Sequence, residues 1–278
     1  MEARDVQVDG CRVRYVEAGR GEPVLLLHGY PQNHRCWRHQ IPALAASYRV
    51  IAPDWFGFGA SERRLDVAPT YELESERIGK FAQAVGAPRF NLIAHDYGGY
   101  LGLGYTQRRP ETVLRLALLN SRAHRDFSPR FHRYSKRQHW VARHAITRAL
   151  ASHAPLHAMH RRGLERYVRR GCFSDALRKD YVAWLDTPEG RRFFFHFFEF
   201  YQVDAPPALA ANLARIRCPT AIIYGDRDAY VPFDTARELA AGIPSATLTR
   251  LEGVSHYSME ERPEAVTLAL QELLARAT

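Results

Sequence analysis

The chain has 278 residues, 46% hydrophobic and 25% charged, enough for one large domain or one domain carrying an insertion. No apolar run reaches membrane-spanning length and the N-terminal residues lack a signal-peptide hydrophobic region, so a cytoplasmic protein without a membrane partner is expected. The net charge of +9 is carried almost wholly by arginine, with lysine only at Lys80, Lys136 and Lys179; no nucleic-acid motif accompanies it, and a solvated surface drawn from an arginine-favouring coding bias is the simpler reading.

In chain order, residues 23–27 (PVLLL) form the first continuous apolar run, the signature of a strand buried on both faces. Residues 48–52 and 90–94 read the same way, with helical spacing over 73–85 between them. Further strands are predicted at 114–119, 220–224 and 246–251, and helices at 235–241 and 263–277. Such alternation builds an α/β fold, a doubly wound and mostly parallel sheet that binds ligands at the carboxyl ends of its strands. Residues 122–212 break the alternation. They hold no credible central strand, are rich in Arg, His and aromatic residues, and end in the run from Phe193 to Tyr201. The expected organisation is a core in two parts, 1–121 and 213–278, with an inserted helical cap, 122–212, roofing the active site.

Residues 90–100, FNLIAHDYGGY, carry the most chemical information. An apolar strand stops at His95-Asp96-Tyr97-Gly98-Gly99 and passes directly into a helical segment. Ala94 and Gly98, two positions either side of Asp96, are small enough for the strained turn of a nucleophile elbow. An Asp that merely caps a helix N-terminus fits the same stretch. Two later motifs favour the elbow. Asp228 follows the strand ending at 224 and His256 follows the strand ending at 251, so nucleophile, acid and histidine occur in the order Asp96, Asp228, His256 at successive strand ends.

With these residues the chain resembles the α/β-hydrolase superfamily over nearly its full length. Within it, the chain is most similar to the aspartate-nucleophile branch: epoxide hydrolases and the dehalogenases of haloalkanes and haloacetates. The resemblance rests on His28-Gly29-Tyr30-Pro31, Ala52-Pro53-Asp54, residues 57–61 (GFGAS), His95 to Gly99, residues 225–232 and residues 253–260. It implies a cis Tyr30-Pro31 peptide and an oxyanion or halide pocket formed by the backbone amides of Tyr30 and Tyr97. Because Asp is ionised at neutral pH, Asp96 needs no base to displace a halide or an epoxide oxygen from carbon and become an alkyl ester. His256, oriented by Asp228, would then deprotonate the water that hydrolyses the ester. An acyl-transfer role is disfavoured, since attack on an ester would yield a labile anhydride, and Ser121 lacks the elbow setting. Asn120 stands where some relatives place the acid, which favours Asp228 for that part.

The cap would decide the leaving group. An epoxide needs a proton donor at its oxygen, usually a pair of cap tyrosines in the epoxide hydrolases, whereas a halide needs N–H and O–H donors. The resemblance to haloacetate dehalogenases implies a His-Trp-Tyr halide site, which His139, Trp140 and Tyr201 match in order; His139 with Tyr201 would equally suit epoxide opening. These dehalogenases carry arginines just after the nucleophile and three residues later, where this chain has Tyr97 and Tyr100, and a bidentate guanidinium is hard to replace. Haloalkane dehalogenases usually carry Trp at the position of Tyr97. The sequence therefore favours an epoxide over a halogenated substrate, with dehalogenation and a non-catalytic ligand-binding role as the alternatives. No cofactor is implied, the histidines show no metal spacing, and Cys11, Cys36, Cys172 and Cys218 read as free thiols. A small electrophilic substrate is the expected partner, and a homodimer is compatible with the sequence.

Overall fold

Eight strands form a single sheet in the computed structural model, which describes residues 2–123 and 127–277. They are β1 (Glu2–Val8), β2 (Cys11–Ala18), β3 (Pro23–Leu27), β4 (Arg49–Pro53), β5 (Phe90–His95), β6 (Val113–Leu119), β7 (Thr220–Gly225) and β8 (Ala246–Leu251). Their order is β1-β2-β4-β3-β5-β6-β7-β8, with β2 antiparallel to both neighbours and every other pair parallel. Continuous apolarity marks the central strands because helices cover both faces of such a sheet; every residue of β5 and β7 is buried.

The β1–β2 hairpin was not among the expected strands. Its first strand is mostly exposed and rich in charge, and only the alternation of Cys11, Val13 and Tyr15 in the second points inward. A two-residue Asp9-Gly10 turn joins them, with φ of 51° and 69°. Two positive φ values suit the right-handed twist of a hairpin, and Asp-Gly is a favoured pair for that geometry.

The sheet's carboxyl ends gather the loops that matter. β3 leads to His28-Gly29-Tyr30, β5 to Asp96, β6 to Asn120 and Ser121, β7 to Asp228 and β8 to His256. Between β6 and β7 the chain builds helices Pro129–Arg143, Ala145–Ala151, Leu156–Arg169, Asp175–Val182, Pro188–Phe200 and Pro207–Ala211. Residues 124–126, part of the expected cap, lie outside the described residues.

Phe58, only 1% exposed, sits at the join between this helical segment and the core. Its ring meets Trp184, Phe193 and Phe197 on one side and Tyr30 and Tyr97 on the other, at centroid distances of 5.5–6.3 Å. Aromatic pairs at such distances add to what their buried area contributes. Polar ties reinforce the join: the Glu260 carboxylate accepts from Gln32 and Arg38 of the core and from Tyr181 of the helical segment.

Candidate active site

Asp96 opens the helix Asp96–Arg108 directly from β5, with φ +49°, a left-handed conformation that side chains other than glycine rarely adopt. The turn is possible because its neighbours have no bulk. A Cβ on Gly98 would stand 2.6 Å from the His28 carbonyl oxygen, and one on Gly29 would stand 2.5 Å from the Asp96 Cβ. The β3 loop, with its cis Tyr30-Pro31 peptide, can therefore lie against the elbow, and the Tyr30 amide donates to Asp96 Oδ1 at 2.9 Å. The Tyr97 amide, next in the chain, helps to lower the pKa of the same carboxylate. Ser121 is bound into the support of the turn, its Oγ donating to the Asp96 carbonyl at 2.7 Å.

His256 lies between two carboxylates. Its Nδ1 donates to Asp228 Oδ2 at 2.7 Å, and its Nε2 stands 3.5 Å from Asp96 Oδ2. Asp228 is itself held by the Tyr230 and Val231 amides on Oδ1, at 2.8 and 3.1 Å, and by the Asn120 side-chain amide on Oδ2 at 2.8 Å. Asn120 has φ +44°, so its side chain is aimed by a second strained position at a strand end. Burial alone would push the imidazole pKa down; the charges and hydrogen bonds of Asp228 and Asp96 outweigh it and raise it to about 10. Burial likewise opposes ionisation of Asp96, but the hydrogen bond and charge of His256 and the Tyr97 amide hold its pKa at about 2. At neutral pH the site holds an imidazolium between two carboxylates.

A cavity of about 260 Å³ opens over Asp96 and His256. Its walls are aromatic, with Phe197 and Phe198 on one side and the phenols of Tyr134 and Tyr201 contributed by the helical segment. Burial and the nearby Asp96 charge raise the Tyr201 pKa, while Arg122 opposes both. Arg122 Nη2 lies 3.5 Å from the Tyr201 hydroxyl and donates to the Gln202 carbonyl at 3.0 Å. Burial pushes the Tyr134 pKa up to about 12. Tyr30 ties the β3 loop to the helical segment: its hydroxyl donates to His160 Nε2 at 2.6 Å, because His160 Nδ1 already donates to the Leu156 carbonyl.

Of the site residues named from sequence, Asp96, Asp228, His256, Tyr30, Tyr97 and Tyr201 are brought together. His139 and Trp140 are not. His139 Nδ1 bonds the Phe198 carbonyl at 2.9 Å outside the cavity, and Trp140 is 53% exposed with its ring tilted 31° against that of His144. Helical phase puts Trp140 on the face opposite Phe131, Tyr134 and Ser135, which line the cavity, whereas His139, a turn beyond Ser135, is taken up by the Phe198 carbonyl. Tyr134 and Arg122 were missed. Tyr134 carries a legible signal, an aromatic residue three positions after Phe131 on one helix face, whereas Arg122 has none in sequence.

The match to the alpha/beta hydrolase fold family runs over residues 22–263. The chain belongs to this family. As an α/β hydrolase it is 30% identical to Epoxide hydrolase A of Mycobacterium tuberculosis, over 98% of this chain and 96% of that protein. It is 29% identical to Haloalkane dehalogenase 2 of the same organism, over 98% and 94% of the two chains. Among solved structures it is similar to an alpha/beta hydrolase fold protein from Burkholderia ambifaria, with TM-score 0.82, 26% identity and 97% of each chain covered. The protein is thus a hydrolase of this fold, with relatives in the epoxide hydrolase and dehalogenase branch.

Proposed function

We propose that the protein hydrolyses an epoxide to a diol through a covalent ester on Asp96, with residues 122–212 acting as a cap over the site. The observation that carries this reading is the pair of phenols, Tyr201 and Tyr134, in the same cavity as Asp96 and His256. Asp96 Oδ2 attacks an epoxide carbon and the carbon–oxygen bond breaks. The departing oxygen takes its proton from a phenol, with Tyr201 favoured: its hydroxyl oxygen faces the Arg122 guanidinium, which suits a developing phenolate. Asp96 Oδ1, held by the Tyr30 amide, becomes the ester carbonyl oxygen. His256 then removes a proton from water, the hydroxide adds to that carbonyl carbon, and the Tyr30 and Tyr97 amides hold the oxyanion until it collapses: the departing alkoxide takes the proton from His256, the new carboxyl proton returns to the Tyr201 phenolate, and diol and free carboxylate remain.

Dehalogenation by the same ester has less support. Among the described residues no tryptophan lines the cavity to offer an indole N–H to a leaving halide. The test is the His256→Gln variant incubated with separate pools of epoxides, haloalkanes and haloacids, followed by intact and peptide mass measurement. An adduct on the Asp96 peptide that retains the epoxide oxygen is expected. An alkyl or carboxymethyl adduct with halide release would assign the dehalogenase reaction instead, and no adduct from any pool would refute the ester mechanism.

A further inference from the structure

Charge is unevenly distributed along this chain. Residues 129–170 carry eleven Lys or Arg and a single Glu, whereas the other 236 residues carry 28 Lys or Arg and 29 Asp or Glu. A coding bias toward arginine would load the whole chain, so the excess belongs to this segment. It forms three consecutive helices, Pro129–Arg143, Ala145–Ala151 and Leu156–Arg169. Arg130, Arg133, Arg137, Arg143 and Arg162 are exposed on them and pair with no carboxylate among the described residues.

The same helices also expose apolar bulk. Trp140, Ile146, Leu150 and Met159 are 53%, 79%, 72% and 48% exposed, four of the seven large hydrophobic side chains so exposed among the described residues. Ile146 and Leu150 are four residues apart and share one helix face. Met159 also lines the cavity over Asp96, so the cavity wall reaches this surface.

We propose that this face docks on an anionic phospholipid bilayer, with the arginines at the headgroups and Trp140, Ile146 and Leu150 entering the boundary with the acyl chains. Basic helices with exposed Trp and aliphatic residues bind such interfaces through the sum of buried apolar area and attraction to anionic lipid. A second copy of the chain fits poorly, because it would oppose two faces of the same strong positive charge. A polynucleotide would leave the exposed aliphatic side chains without a role. The expectation of no membrane partner rested on the lack of a spanning segment, and among the described residues no helix is long and apolar enough to cross a membrane. Peripheral docking needs none.

The test is co-sedimentation of the full chain with phosphatidylcholine vesicles made with or without phosphatidylserine. Binding only to the anionic vesicles is expected. Arg133→Glu with Arg137→Glu should weaken it by at least about 5-fold for each arginine reversed. The triple variant Trp140→Ser, Ile146→Ser, Leu150→Ser should weaken it about 10-fold or more with the charge intact. All five positions are exposed, and far-ultraviolet circular dichroism checks that each variant folds. Failure to bind anionic vesicles would overturn the proposal, as would binding that the triple variant leaves unchanged. A dimer in solution that the triple variant dissolves would assign the face to a second copy and overturn it equally. None of these outcomes depends on which electrophile Asp96 attacks.

Discussion

In the proposed mechanism His256 activates water, which an imidazolium cannot do, so the charge on His256 would have to change during turnover. Its imidazolium is held by Asp228 at 2.7 Å and by Asp96 at 3.5 Å, and together they lift its pKa to about 10. Formation of the ester deletes the Asp96 charge. At 3.5 Å and an effective dielectric constant of about 20, that attraction is worth roughly 5 kcal/mol, or about 3.5 pH units. The His256 pKa would then fall by that much, leaving the ring neutral often enough to take a proton from water. On the proposed mechanism, attack by Asp96 would therefore switch on the base that the next step needs. Asp96→Asn imitates the loss of charge while keeping the shape of the side chain. Long-range proton–nitrogen correlation spectra of histidine-labelled protein report the His256 ring directly, with its signal assigned by loss in His256→Gln. The expected result is a titration midpoint about 3.5 units lower in Asp96→Asn than in the parent protein. A His256 still protonated at pH 9 in the variant, or neutral at pH 7 in the parent, would refute the reasoning.

The same pair fixes the sign of a stability effect. Because the folded pKa of His256 lies above its unfolded value, its contribution is fully present below pH 6.5 and is lost as pH rises toward about 10. Urea midpoints should accordingly fall across that window by the equivalent of several kcal/mol, and a flat profile would argue against a paired imidazolium. Tyr201→Phe should slow ester formation from an epoxide by about 10²–10⁴-fold, read as the single-turnover rate of adduct growth in a His256→Gln background; an unchanged rate would move the proton donor to Tyr134. Finally, His139→Ala and Trp140→Ala should leave turnover of a water-soluble substrate within about 2-fold of the parent, as substitutions outside the cavity do, and a large loss in either would restore them to the site.

How far the sequence could be read depended on which physical signal each part sends. Strands buried on both faces send a strong one, so five were legible within a residue or two of their ends; β8, buried only at Leu251, was legible too, while the hairpin Glu2–Ala18 was missed because half-buried strands with charged outer faces have little apolarity to detect. The residues at the strand ends were legible for a related reason. A strand's carboxyl end is a fixed point, so Asp96, Asp228 and His256 could be located by counting from β5, β7 and β8. The helical segment offers no such fixed point. His139, Trp140 and Tyr201 rest on a match in order alone, but a helix turns 100° per residue, and an error of one or two positions carries a side chain from the cavity to the solvent. Trp140 lies on the wrong side of that error and Tyr134 on the right one. Tyr201 escaped it because it ends its helix, where the chain leaves Phe200 and the ring folds back against Tyr97 with centroids 6.0 Å apart. Arg122 illustrates a harder limit. A buried guanidinium beside a phenol is chemically informative, yet nothing local in the sequence distinguishes it from the other arginines; its meaning comes only from the strand end that places it within reach of Tyr201.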